Sequence, residues 1–547
     1  MPRGAALALT LAFCRAAGAS NPLEYPDDGT ASFSRGGAWL AVGNEPIAAH
    51  YDPAALAIQP NGASLDTNLN FSHTCFSRRG PGDTETGPDV VSSPFYRYRD
   101  ACEARGAFPF AVPSIAVAFR VSARVGVGIA VVPPATYGTP SRSFPAVANG
   151  VDTSTGKSVP LPAPYRYQTL EQQSLVLFPT LGVGWEIARG FRVGAGFVAG
   201  IGVINLSTVG VANLGSNDAL GDHMTDDSLS SIRTEDLFVP GAILSVHWSV
   251  TPRLDIALWG RVMDSIRATQ GSVSVTQQAY DGGGHLNPPC AGAKTAAGDV
   301  SYADCSGNQA VPNEFPRGLA RFEYPIPPEI RWGVRYHAPR SSAPSRDENG
   351  TRRDPLVDDV FDVELDQSLT LNAAADRIVV RFPESDGSGS LVTNPTRVPI
   401  PPNADRPTGY RNSYGARLGG QWNAIPNLFA IRAGGWFESR SQDPRYLTIQ
   451  PVGAARFGFG GGVVVRYRFL DVSVGYQRHL TLGLDNHGEG ELRAPAAVRA
   501  SDPFDARREP DSVPAADRRE FRTEHAVNGG RVSFDAHVFS IGLVARF

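Results

Sequence analysis

Apolar residues at every second position, repeated along most of the chain, restrict what it can fold into more than any other feature. In segment 114–121, Ile115, Val117, Phe119 and Val121 share one face, and Ser114, Ala116, Ala118 and Arg120 share the other. In 124–131, Val125, Val127, Ile129 and Val131 oppose Arg124, Gly126, Gly128 and Ala130. Segment 191–201 sets Phe191, Val193, Ala195, Phe197, Ala199 and Ile201 against Arg192, Gly194, Gly196 and Gly200. Leu254, Ile256 and Leu258 oppose Asp255 and Arg261, and Phe457, Phe459, Val463, Val465, Tyr467 and Phe469 oppose Arg456, Gly458, Gly460, Arg466 and Arg468. One face is free of charge, and the other carries glycine, alanine and arginine. The sheets of a soluble sandwich also alternate. Two things separate the readings. These segments reach about ten residues or more, enough to cross a bilayer when tilted. A glycine-rich, charged face also suits a crowded polar lumen better than a solvated surface.

Composition agrees. Charged residues make up 19% and apolar residues 42% of the 547, too apolar for a disordered chain and too polar for a helical membrane protein. The net charge of −4 and the lack of any basic tract give no support to nucleic-acid binding. No stretch reaches about 18 uninterrupted apolar residues, so no membrane-spanning helix is expected.

The pattern places strands near 63–73, 113–121, 123–132, 171–188, 190–206, 232–250, 253–269, 328–338, 358–382, 411–422, 427–439, 455–468, 471–481 and 530–547. That is about fourteen, an even number as bacterial single-chain barrels have. Short turns at Ser122, 188–190, Thr251-Pro252, 423–426 and Phe469-Leu470 alternate with long connections at 74–112, 133–170, 270–327, 383–410 and 482–529. Membrane barrels show this asymmetry, with short periplasmic turns and long outer loops. Two places strain the scheme: 339–357 is a long charged link where a short turn belongs, and 358–382 is long enough for two strands. The chain closes on Phe539, Ile541, Leu543, Ala545 and Phe547 on one face, while Val532, Phe534 and Ala536 upstream lie on the other parity. A bulge near His537 would reconcile them. The expected fold is all-β: a transmembrane antiparallel barrel of about fourteen strands over 63–547, in a Gram-negative outer membrane.

Residues 1–19 read as an export signal, with Arg3 at its start, an apolar stretch at 5–13 and small Ala17-Gly18-Ala19 before Ser20. Beyond Cys14, the cysteines are Cys75, Cys102, Cys290 and Cys305. Export permits disulfides, and four cysteines allow three pairings. Proximity favours Cys75–Cys102 and Cys290–Cys305, each of which would staple one long loop.

Residues 20–62 do not read as a barrel strand. They contain Arg35-Gly36-Gly37-Ala38-Trp39 and His50-Tyr51-Asp52-Pro53-Ala54-Ala55-Leu56. A mature chain that begins so and then enters a barrel resembles the long-chain fatty acid outer-membrane transporter family (FadL/TodX), where Asn-Pro-Ala stands in place of Asp52-Pro53-Ala54. Segments 328–336 (Pro-Glu-Ile-Arg-Trp-Gly-Val-Arg-Tyr) and 361–366 (Phe-Asp-Val-Glu-Leu-Asp) are also similar to that family's strands. The resemblance implies an N-terminal hatch over 20–62, gated at Asp52, Pro53 and Ala54, and passive uptake of hydrophobic molecules such as long-chain fatty acids. It also implies a lateral exit at the third strand, where Gly126 and Gly128 weaken the ladder and Pro133-Pro134 follow it. Those prolines equally well end the strand and begin its loop. Aspartate in place of asparagine adds a charge at a buried turn.

No HExxH, GxSxG or Walker motif occurs, so no catalysis, metal or cofactor is expected. His247 and His479 fall on strands and read as lumen residues. Bore-facing arginines (Arg120, Arg124, Arg192, Arg261, Arg432, Arg466, Arg468) either hold a carboxylate headgroup, with Arg124, Arg192 and Arg432 as candidates, or pair with inward acids such as Asp255 and Glu438. Six of seven tryptophans fall on strands and read as interface anchors. The expected partners are a hydrophobic small molecule and membrane lipid, with the barrel a monomer. The rival expectation is a structural or adhesive barrel whose stapled loops bind a partner.

Overall fold

The computed structural model describes residues 29–78, 96–103, 113–134, 142–152, 154–214, 227–277, 293–294, 300–301, 311–314, 320–340, 354–381, 390–392, 397–399, 404–450, 452–494, 496–498 and 526–547. The expected leader at 1–19 and the pair Cys290 and Cys305 lie outside these residues.

Fourteen strands form a closed antiparallel barrel. They are β1 (Gly62–Arg78), β2 (Pro113–Arg120), β3 (Val125–Val132), β4 (Glu171–Ala188), β5 (Phe191–Leu214), β6 (Asp227–Thr251), β7 (Leu254–Met263, continued by Ile266–Gln277), β8 (Glu329–Pro339), β9 (Asp359–Thr370), β10 (Ser413–Ile425), β11 (Phe429–Glu438), β12 (Arg456–Tyr467), β13 (Leu470–Thr481) and β14 (Gly530–Arg546). Each pairs with its sequence neighbour, and β1 closes the ring on β14 from Gly62↔Arg546 to Arg78↔Gly530. Closure leaves no sheet edge unpaired, which lipid requires of any strand that crosses it.

The expected strands are all present, with two corrections. Segment 358–382 is one barrel strand plus a departure: β9 stops at Thr370, the chain turns at Asn372–Ala374, and Arg377–Arg381 pairs with the loop strand Ala320–Tyr324. The expected bulge near His537 is absent, because β14 pairs with β1 and with β13 in unbroken register. Its parity needs no repair. Val532 faces inward beneath packed loops, Phe534 and Ala536 face inward against Phe33 and Val452, and Phe539, Ile541 and Leu543 face out. An apolar inner face at this end of the barrel is buried against protein, not against lumen water. The long link at 339–357 ends in a short helix, Pro355–Asp358, capped by the Asp354 carboxylate.

The outward face carries Leu65, Phe71, Ile115, Phe119, Ile129, Leu181, Phe197, Leu244, Leu258, Leu418, Phe459 and Ile541, all exposed. No helix among the described residues is long and apolar enough to span a membrane. Trp185, Trp248 and Trp422 stand on the outward face as the belt reading requires. Trp259 and Trp436 do not. They point into the bore, where their indole N–H groups donate to His50 O at 2.9 Å and Gln477 Oε1 at 3.0 Å. Above the barrel, Cys75 and Cys102 form a disulfide, joining the top of β1 to the short strand Ala101–Cys102 paired with it.

If the outward face meets lipid, a charge at its centre is costly. Leu244 is 69% exposed midway along the lipid-facing part of β6. Leu244→Arg is expected to destabilise the barrel by about 2–4 kcal/mol in bilayers, measured by urea titration of protein folded into vesicles.

Candidate functional site

The bore is occupied by the N-terminal segment. It runs through helix α1 (Thr30–Ser34), a turn at Arg35–Gly37, helix α2 (Ala48–Tyr51) and a 3-10 turn (Pro53–Ala57) before entering β1. Every residue of 29–58 is buried, so this inner segment lies enclosed by the wall.

Glycines of the wall explain how it fits. Across β3, β4 and β5, register aligns Gly126 with Gly184 and Gly194, and Gly128 with Gly182 and Gly196. These two rows are bare of side chains, and the backbone of the inner segment lies on them. A Cβ on Gly126 would run into Leu56 O, one on Gly184 into Pro53 O, and one on Gly194 into Ala54 N, each closer than the 3.0 Å that real Cβ atoms keep. A second bed, on β10 and β11, receives the turn. Gly419 and Gly434 both face Arg35 O with no room for a Cβ, and Gly36, at φ +66°, rests on the Gly434–Gly435 backbone. Backbone with φ in this range favours glycine.

Charge fixes the seat. Arg35 donates to Asp362 at 2.5 Å and lies 3.5 Å from Glu364. Asp366 accepts from Trp39 N at 2.9 Å and Leu40 N at 3.1 Å, and Glu364 accepts from Ala41 N at 2.5 Å. Three inward acids of β9 thus hold one guanidinium and three successive backbone amides of the inner segment. Arg335 of β8 faces the same group, at 2.7 Å from Asp359 and 3.1 Å from Asp362.

The Asp52-Pro53-Ala54 turn sits on the glycine rows of β4 and β5. Asp52 Oδ2 lies 2.8 Å from His247 Nδ1, with both side chains fully buried. The aspartate that departs from the asparagine of the resembled motif therefore meets a histidine on β6. Ala54 N donates to Ser245 Oγ at 2.8 Å, and His50 Nδ1 contacts Thr180 Oγ1 at 2.8 Å. Burial holds the His50 imidazole well below its usual pKa, and Arg261 and Arg331 push it the same way.

Strand β3 is paired on both sides, with β2 from Ile115↔Val131 to Arg120↔Gly126 and with β4 from Val125↔Trp185 to Val132↔Phe178. The ladder runs through Gly126 and Gly128 without a break, and Pro133 and Pro134 follow its end. The glycines are positions of close contact with the inner segment.

The candidate headgroup arginines separate. Arg192 is buried beside Glu186, at 3.5 Å, and Ser249. Arg432 donates to Gln421 Oε1 at 2.7 Å and lies 3.8 Å from Glu45. Both are engaged in the bore, as are Arg261 and Arg466. Arg124 and Arg468 are not in the bore at all. They are exposed on the turns before β3 and after β12, where the alternation has already ended.

Sequence reasoning missed Arg406. Above the inner segment, an apolar cluster spans one side of the interior: Leu40 and Ala41 of that segment, Phe178, Ile243, Trp259 and Ile266 of the wall, and Phe322 and Val380 of the loop strands, with Tyr324, Ile378 and Ala404 packed on it. Arg406 pairs across from Ile378 and shares the parity of Ala404, so it sits on the face turned to this cluster. Its Nη1 donates to Gln168 O at 3.2 Å, while its Nη2 and the Gln168 Nε2 are buried with no hydrogen-bond partner. No carboxylate pairs with Arg406 among the described residues. Burial lowers its pKa, opposed by the phenols of Tyr410 and Tyr324. Arg406 lies in a polar loop outside the alternating segments, so periodicity gives it no signal.

Among the described residues, one trio of metal-ligand types lies within reach, His73, Cys75 and Cys102, and the disulfide uses both thiols.

No family model and no curated protein matches the sequence. Solved structures do. The chain is similar to a Pseudomonas aeruginosa FadL homologue (TM-score 0.56, 14% identity, covering 96% of this chain and 99% of that one). It is also similar to the Pseudomonas putida toluene transporter TodX (0.52, 11%, 95% and 99%) and the Ralstonia pickettii toluene transporter TbuX (0.50, 14%, 95% and 99%). At such identities the likeness is one of fold, and the chain is an outer-membrane barrel.

The Asp52–His247 contact is open to test. Asp52→Ala leaves a buried imidazole without its partner and is expected to cost about 1–3 kcal/mol, read as faster amide exchange across 48–57. Asp52→Asn keeps an acceptor and is expected to cost less.

Proposed function

We propose that this barrel takes up hydrophobic molecules passively across the outer membrane, that the inner segment is its hatch, and that its cargo is a long-chain fatty acid or a similar lipophile with an anionic head. The observation that carries this reading is the orphan donor Arg406 Nη2, on the strand face that Ile378 and Ala404 turn to the apolar cluster above the hatch. A buried donor without a partner is costly, and a carboxylate supplies the acceptor. The cluster beside it supplies apolar contact for an alkyl chain, and its lower end is the hatch itself, at Leu40 and Ala41.

In this reading cargo enters from the long-loop end, sets its head at Arg406 and its tail along the cluster, and passes on when the hatch shifts. The lateral exit implied by the family resemblance is placed at β3. Lifting residues 49–57 from Gly126, Gly128, Gly182 and Gly184 would leave a patch of wall with no side chains on its inner face. The named neighbours support the transport class: two of them are described as toluene transporters. No step here makes or breaks a covalent bond, so the reading is not enzymatic.

Two measurements test it. Arg406→Gln in the full chain is expected to weaken binding of a fluorescent long-chain fatty acid about tenfold or more, the worth of a charge-assisted hydrogen bond, while binding of the matching fatty alcohol stays nearly unchanged. Equal loss for both ligands, or no saturable binding of the acid, would sink the fatty-acid assignment. Removing residues 29–61 is expected to raise single-channel ion conductance in planar bilayers, and conductance as low as that of the intact protein would remove the hatch from the mechanism.

A further inference from the structure

At the short-turn end of the barrel, four arginines stand exposed, one at each of four tight turns: Arg124 between β2 and β3, Arg189 between β4 and β5, Arg253 between β6 and β7, and Arg468 between β12 and β13. Three of them stand at consecutive turns over β2–β7, and Arg468 stands apart at the turn after β12. None has a carboxylate partner among the described residues. Acids do occur at this end, but they are engaged elsewhere. Glu186 accepts from Gly190 N at 2.8 Å and lies 3.5 Å from Arg192. Asp255 faces Arg335 at 3.3 Å, Asp354 faces Arg466 at 2.5 Å, and Asp471 binds Arg466 and Arg546 at 2.5 and 2.8 Å. Asp358 accepts from Asp354 N at 2.9 Å.

Each exposed arginine follows or precedes outward apolar side chains. Val121 (68% exposed) lies near Arg124, Ile187 near Arg189, Val250 near Arg253, and Tyr467 (68%) and Phe469 beside Arg468. The Arg468 guanidinium lies over the Tyr467 ring, 5.4 Å from its centroid. Further up the wall stand Trp185, Trp248 and Trp422 on the same outward face. From the barrel middle to the rim, the surface therefore changes from aliphatic to aromatic to cationic. That is the order in which a bilayer leaflet presents acyl chains, interface and headgroups. Arginine is suited to the last layer because its planar fork can bind a phosphate with two parallel hydrogen bonds.

We infer that this rim is a binding surface for anionic phospholipid headgroups of the leaflet at the short-turn end, with Arg124, Arg189, Arg253 and Arg468 as the phosphate contacts. The surface is independent of the bore and of whatever the barrel carries. It would bias the lipid shell toward phosphatidylglycerol-type lipids and hold the barrel at a set depth.

The test uses the full chain in mixed micelles containing phosphatidylglycerol and phosphatidylcholine, with retained lipid counted by native mass spectrometry. The wild type is expected to retain phosphatidylglycerol in preference, and the preference is expected to shrink as salt rises from about 0.05 M to about 0.5 M, because exposed charges are screened. The variant Arg124→Gln/Arg189→Gln/Arg253→Gln/Arg468→Gln is expected to lose the preference by about tenfold or more, since each basic residue near an anionic surface contributes measurably. Arg233→Gln/Arg321→Gln, which removes two exposed charges at the opposite end, is expected to leave it unchanged. Should the quadruple variant fail to fold, the salt titration of the wild type still decides. No lipid preference in the wild type, a preference indifferent to salt, or equal loss in both variants would overturn the inference. Retention of an acidic peptide without any preference among lipids would assign the rim to a protein partner and overturn it as well.

Discussion

The structure depends on the contact between the backbone of the inner segment and the bare inner wall. A segment of peptide can lie against a β-sheet at hydrogen-bonding range only where the wall has no side chains in the way. The glycine rows of β3–β5 and the glycines of β10 and β11 provide that at two places in the bore. Between them, β9 presents Asp362, Glu364 and Asp366 inward, and the inner segment answers with Arg35 and the amides of residues 39–41. Neither side is satisfactory alone. A wall without the segment would leave three acids close together without the guanidinium and the three amides that meet them. A segment without the wall would leave Arg35 and its amides to water. Removing one partner of such a buried group is strongly destabilising, on the order of 3–5 kcal/mol, so segment and barrel form one cooperative unit at this seam.

The same short stretch of the inner segment does two different things. The amides of residues 39–41 turn to β9, while the side chains of Leu40 and Ala41 turn to the apolar cluster on the other side of the bore. The stretch thus stands between the acids of β9 and an apolar cluster that reaches up to the loop strands, with Arg261 and Arg331 stacked on the cluster's Phe178 and Trp259 rings. On the proposed reading, a molecule lodged against this cluster would touch Leu40 and Ala41, whose backbone amides are held by the β9 acids.

The outer surface shows the complementary division. Apolar side chains stand outward with only backbone between them and buried charges such as Asp255, Asp366 and Arg335 on the inner face. In a strand, neighbouring residues point to opposite sides. One chain can therefore be fully hydrocarbon outside and ionic inside within a wall a single sheet thick.

The sequence by itself determined the barrel, the approximate number and place of its strands, and a lead-in that is not a strand of the wall. Each of these is local, because alternation and turn residues are properties of neighbouring positions, whereas proximity only favoured Cys75–Cys102 among three pairings and the folded chain made that bond. What the strands meet across the bore was decided in three dimensions. Gly126 read as a weak point of β3, and that Leu56 lands on it was not legible. Asp52 read as an unexplained charge, and His247, far along the chain, is its partner. Trp259 and Trp436 read as belt anchors, and they point inward to hydrogen-bond acceptors. Val532 and Phe534 read as out of register, and a loop cluster covers the first while Phe33 of the inner segment packs on the second. Arg406 carried no signal, because a polar loop has no period. These features depend on which residues of distant segments come within a few ångströms once the sheet closes, and only the closed barrel with its inner segment in place sets those distances.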